Sequence, residues 1–517
     1  MPAKGPGLSP GGDLLPDDPR GEEDTIRFAP GLRDRILDPG TALSAEQMAS
    51  SLMPPFVEAA SASARGEPYV VLYRQLVVIE QLGFLDPFLR RVVASHLPRR
   101  KVRSVALRLV TESTDRLPVK VGIALLGICA RRQDEGVMLT IARHPEFTDY
   151  AGKAITNAFG SRDDVLWELA KVTEGWGRIA LVQQLAKTQR PEIKAWILRE
   201  TGRDHMLLRG ASLVAAETGD LRKELSADEI DDELCVAAGA ILQTLIENRP
   251  SEARDSIDDY AEGQAAIGLF LSHLRHRPED LQTIQPLLTI IDYLELRGGV
   301  DWNISPEFRE KLVKKVAGRP LVSWTDGERA RAATLARWVL RRPGWRRAIE
   351  DGLRSSDRWT FYLAVRAAMR FGDNVAPVLL DRLRRDPYAD EITWGDAVRT
   401  ADEAGFDDLL EVAFTRLSEH RPYEGWAFPG WLRAIVEGLE RFPGKGWPLI
   451  REGLTSGVMM ERRFGLNGVW AFGGKPWPRE AVALVAALAR SDPDEYNREK
   501  AAELLEDQGY PGRVSTP

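Results

Sequence analysis

Cysteine is nearly absent. The 517 residues carry two, Cys129 and Cys235, each inside an apolar run. Two such residues supply neither a disulfide framework nor a metal cluster, and they read as small buried hydrophobes. Histidine is scarce as well, six in all, and only His273 and His276 lie close together. An i, i+3 pair needs a third ligand to hold a metal, so this pair reads as solvated surface and no metal site is expected. No apolar run reaches the ~18 residues that a membrane-spanning helix needs. No apolar signal segment stands at the N-terminus, so a cytoplasmic protein without membrane contact is expected. Strand-like alternation of period two is missing, which argues against a sheet. The formal charge of −7 is too mild for a global affinity for nucleic acid. HExxH, GxSxG and GxxxxGKS/T are all missing. The sequence therefore specifies no reaction, and no catalytic residue is assigned.

What is present is helical periodicity. Residues 161–219 read as four short amphipathic helices. The first is expected to start at Ser161 as N-cap, with Asp164 in the reciprocal position of a capping box. Pro191 opens the third, where its missing N–H costs nothing. Gly202 is expected to close it in a left-handed conformation. Segments starting at Asp134, Asp163 and Pro191 follow one another at roughly 28 to 29 residues, with a partner helix after each. Two helices per period of about 30 is the signature of an α-solenoid. Single helices of this length are marginal in water, so neighbours must supply their stability. Residues 1–30 are rich in Gly, Pro and Asp and read as a disordered tail. A helix over 44–60 is expected to be interrupted at Pro54 and Pro55. The run PVKVGIALLGICARR is apolar nearly all round, so its helix should be covered on both sides.

A weakly periodic stretch with two prolines follows residue 300. It divides an N-terminal array, 31–300, from a C-terminal array, 301–517. In the second array Leu353, Leu383, Leu417, Leu454 and Leu488 recur near helix ends, 30, 34, 37 and 34 residues apart. Eleven of the fourteen tryptophans lie at or after Trp302, which predicts bulkier packing there. These helix pairs, and NREKAAELLEDQG above all, resemble the HEAT-repeat family. DDVLWELAKVTEGWGRIALVQQL resembles the same armadillo-like superfamily. The resemblance implies an all-α solenoid of stacked antiparallel helix pairs. VTEGWGRIALVQQL also looks like bacterial proteins labelled limonene hydroxylase. A hydroxylase needs an oxygen-activating cofactor. No haem-thiolate context surrounds either cysteine, and no glycine fingerprint follows a strand, so no cofactor is expected.

Charge is segregated along the chain. Residues 220–262 hold thirteen acids and four bases, a net of −9. Residues 328–370 hold eleven arginines and four acids, a net of +7, with Trp338, Trp345 and Trp359 interleaved. Arginine forks pair carboxylates or phosphates and stack on rings. Arg341, Arg342, Arg346 and Arg347 are therefore the expected contacts of an acidic partner, with Trp345 as aromatic anchor. In the segment WGD, Trp394 and Asp396 resemble the aromatic-plus-carboxylate sites of HEAT-like DNA alkylation-repair glycosylases. The expected function is a non-enzymatic protein-interaction scaffold. The alternative is a nucleic-acid-binding solenoid of that glycosylase kind.

Overall fold

The computed structural model describes residues 8, 12, 14–18, 29–36, 42–62, 66–79, 82–248, 255–295, 324–418 and 430–509. Among them helix predominates and none lies in a strand: the protein is all-α. They form two compact units, one reaching to Trp345 and the other starting at Arg346. The division expected at 300/301 lies outside the described residues, as do most of residues 1–30.

In the first unit, residues 161–219 do form four helices: Asp163–Val172, Gly175–Gln184, Pro191–Arg203 and His205–Thr218. Two of their ends differ from expectation. Ser161 is not a cap. Its hydroxyl donates to the Asp163 carboxylate at 2.8 Å, and the helix begins at Asp163. Gly202 does not close the third helix but lies within it. A Cβ at Gly202 would stand 2.3 Å from Cα of Ala237, so its bare backbone is what lets helix Asp232–Glu247 come close. The fourth helix is capped by Asp204, which accepts from the amide of Met206 at 2.8 Å.

The expected break at Pro54 and Pro55 does not occur, and helix Ala42–Ser61 runs through both. Leu52, Phe56 and Ala59 are buried at spacings of four and three, and the Phe56 ring meets Phe88 edge-on at 5.2 Å. The apolar run forms helix Arg116–Cys129. It is covered by Arg99–Glu112 on one side and Thr148–Phe159 on another, as its lack of a polar face requires. Thr148–Phe159 packs in turn on Gly175–Gln184, that helix on His205–Thr218, and that on Asp232–Glu247.

In the second unit the helices alternate between two rows. Ala376–Arg385, Glu403–Ser418, Trp447–Thr455 and Arg479–Ser491 pack in sequence on one another. The helices that follow each of them, Glu391–Thr400, Gly430–Arg441, Met459–Trp470 and Glu495–Asp507, do the same. Of the five recurring leucines, Leu383, Leu417 and Leu454 are buried in the first row, whereas Leu353 and Leu488 are half-buried. Bulky packing is found within the second row, where Trp394 and Trp431 of neighbouring helices are fully buried 5.7 Å apart. Second-row helices are tied start to start by charge. Asp390 and Asp494 each cap a helix start and also take an arginine from the preceding second helix, Arg358 and Arg463, both at 3.0 Å. Arg178 and Asp204 repeat the arrangement in the first unit at 3.0 Å.

Candidate functional site

The five residues expected to form an arginine ridge have different environments. Trp345 is 1 % exposed, and its indole N–H donates to the Val339 carbonyl at 2.9 Å. It is a core residue that closes the turn before it, so it offers no ring to a partner. In the first unit, Arg342 is bound at 3.0 Å both to Glu279 and to the Leu274 carbonyl, while Arg341 is exposed. In the second unit, Arg346 pairs with Asp373 at 2.6 Å and lies over the Phe371 ring. Arg347 is exposed and, like Arg341, makes no ion pair among the described residues. Two of the four guanidinium groups are thus engaged inside their own units.

Sequence reading missed a neighbouring constellation. On helix Arg358–Arg370 the solvent-facing positions are Trp359, Tyr362, Arg366 and Arg370, at helical spacings of three and four. Trp359 is 55 % exposed and stacks on Tyr362 with ring centres 5.1 Å apart. Arg366 lies over the Tyr362 ring and reaches Asp396 of the next second helix at 3.5 Å. Further along the same row, Trp470 and Tyr496 are each about half exposed, and Arg463 covers the Tyr496 ring at 4.2 Å. Near the end of helix Gly430–Arg441, in the same row, stand the exposed carboxylates Glu437 and Glu440. Burial, reinforced by the nearby Glu437 charge, raises the Glu440 pKa. The signal was available: burying only the opposite face of YLAVRAAMR leaves the aromatic–arginine stripe outside.

Trp394 and Asp396 do not form an open site. The Trp394 indole donates to the Pro387 carbonyl at 3.2 Å from within the core. Asp396, 1 % exposed, is held between Arg366 and Arg399. The two cysteines are buried as expected, and burial pushes the thiol of Cys129 up to about 12 and that of Cys235 up to about 11. Neither supplies a thiolate at neutral pH. His273 is engaged through Nε2 with the Leu225 carbonyl at 2.9 Å. Among the described residues no three His, Cys, Asp or Glu side chains gather at metal-binding distance, and no helix is long and apolar enough to cross a membrane.

A further charged cluster lies in the first unit, inside the helix that looked apolar nearly all round. Lys120 is 2 % exposed. Its ammonium bonds to Glu146, itself buried, at 2.5 Å and to Asp34. Asp34 also accepts from the Tyr150 hydroxyl at 3.0 Å, and Glu146 accepts from the Gly31 amide at 2.7 Å. One turn before Lys120, Arg116 binds Asp17 through Nε at 3.0 Å and also pairs with Asp18. The Asp17 carboxylate accepts from the Arg116 amide at 2.9 Å as well, at the very start of the helix. Burial opposes the Arg116 charge, but Asp17 and Asp18 outweigh it and raise the guanidinium pKa further.

Compared with known protein families, curated proteins and solved structures, the chain matches none.

Proposed function

We propose that the protein is a non-enzymatic interaction scaffold, an α-solenoid of HEAT or armadillo type, and that its second unit binds a protein partner along the second-row helices. The supporting observation is the set of half-exposed rings Trp359, Trp470 and Tyr496 on these helices, with Tyr362 and Arg366 half-buried beside Trp359. Tryptophan, tyrosine and arginine are the side chains that dominate binding energy at protein interfaces. Trp359, Trp470 and Tyr496 stand outward on helices whose other faces are buried, so folding alone does not explain them. Stacked helix pairs present such residues at a fixed repeat, which suits an extended partner. The nucleic-acid alternative has less behind it. Glu437 and Glu440, exposed on a helix of the same row, would repel a phosphate backbone, and Trp394 and Asp396 are engaged in the core.

The test is affinity capture from native cytosol with wild type and with Trp359→Ala/Tyr362→Ala, both checked for folding. Proteins held by wild type and lost from the variant are the expected result. Equal capture by the two would remove these residues as a binding face. A parallel titration with a single-stranded oligonucleotide separates the alternative: tight binding that weakens steeply with salt would favour nucleic acid.

A further inference from the structure

The cluster around Lys120 is made by two parties. Helices of the first unit contribute Arg116, Lys120 and Tyr150, and the turn before helix Thr148–Phe159 contributes Glu146. Residues 14–18 and 29–36 contribute the carboxylates of Asp17, Asp18 and Asp34 and the Gly31 amide. The helices and that turn by themselves bring two cations against one carboxylate, which leaves an anion-seeking face. Three acids from the N-terminal stretch then fill it.

The bonds across this contact are specific. The Arg116 fork and the helix-start amide both point at Asp17, a geometry suited to a carboxylate. Glu146 fixes the backbone of the incoming stretch by accepting from Gly31 at 2.7 Å. Gly31, at φ +78, seats its Cα where a Cβ would meet the Pro145 carbonyl oxygen at 2.8 Å and Cβ of Trp176 at 3.4 Å. Asp17 thus lies at the start of helix Arg116–Cys129, and Gly31 lies against Pro145, just before helix Thr148–Phe159, and Trp176, at the start of Gly175–Gln184. Apolar burial adds little to the hold at residues 14–18, because Leu14 is 61 % exposed. The bonds from Asp17 and Asp18 to Arg116, all partly exposed, are open to salt and competing anions, whereas the buried Lys120–Asp34 pair is screened much less.

We infer that this face binds an extended acidic peptide, and that the chain's own N-terminal stretch occupies it as a tethered competitor. A partner peptide would supply two adjacent carboxylates to Arg116 and a third to Lys120 and Tyr150. It would also supply a backbone N–H to Glu146. Because the resident stretch is tethered, its effective concentration is high, and a free peptide gains access only when the tether's bonds are weakened.

The experiment uses the full chain. A labelled peptide of residues 12–36 is titrated by fluorescence anisotropy against wild type, Asp17→Asn/Asp18→Asn, and the same variant with Arg116→Ala. The expected result is peptide binding by the Asn variant on the order of tenfold tighter or more than by wild type, weakening with salt and lost with Arg116→Ala. A folded Asn variant that binds the peptide no better than wild type overturns the proposal. So does an unrelated oligonucleotide that binds that variant as tightly as the peptide does. Should the variant fail to fold, hydrogen exchange of the Gly31 and Arg116 amides in wild type decides. Faster exchange in the presence of excess peptide supports displacement. Exchange that proceeds only by global unfolding, unaffected by peptide, shows a permanent brace and overturns it.

Discussion

Replacing Lys120 by Met is the sharpest perturbation of the first unit. Methionine has a similar length and suits the apolar surroundings of helix Arg116–Cys129, so little volume is lost. What is removed is the ammonium between Glu146, 3 % exposed, and Asp34. Removing one partner of a buried pair costs about 3–5 kcal/mol, because the other charge stays buried. The lower end applies here. Glu146 keeps the Gly31 amide and has the Arg116 guanidinium at 3.9 Å, and Asp34 keeps the Tyr150 hydroxyl. A chain of two units is not expected to unfold in one step, so the assay is amide exchange within helix Arg116–Cys129. A loss of about 3 kcal/mol speeds that exchange by roughly a hundredfold. Lys120→Met/Glu146→Gln, which removes both charges, should recover about half of the loss, an interaction that a double-mutant cycle reads directly. An exchange rate within about threefold of wild type, the range of surface substitutions, would refute the view that Lys120 is a buried, paired charge.

Leu383→Ala should destabilise the second unit by about 2–5 kcal/mol, since Leu383 is fully buried in the first row; a change under ~0.5 kcal/mol in denaturant unfolding would break the assignment of the repeat. Acid sensitivity should depend on Asp134, whose carboxyl is held below the usual range chiefly by hydrogen bonds from Arg103. A lowered folded-state pKa contributes stability that is present above the ordinary carboxylate range and is lost as pH falls through the folded value. Asp134→Asn should therefore flatten the acid limb of stability below about pH 4, and an unchanged limb would contradict the pairing.

Much of the fold was legible because helical periodicity is local. The stripes of residues 161–219 predicted four helices, and three of the five recurring leucines, Leu383, Leu417 and Leu454, are buried. Helix ends were less legible. Ser161 has a capping side chain, yet Asp163 takes its hydroxyl, a choice between two local bonds that spacing does not rank. The candidate site was the least legible. Arginine content pointed to residues 341–347, but whether an arginine is available depends on carboxylates far along the chain, such as Glu279 for Arg342. Trp345 and Trp359 look equivalent as letters; one closes a turn in the core and the other stands on a solvent-facing stripe.

The sequence by itself determined an all-α chain of short one-faced helices, because apolar spacing and the lack of alternation act over a few residues. Tertiary structure alone decided what each polar group does. Gly202 became a contact with Ala237 instead of a helix end. Lys120, a lone charge in an apolar run, found Glu146 26 residues on and Asp34 86 residues back. A buried charge is tolerable only beside a partner, and that partner is chosen by the fold in space, where sequence distance has no bearing.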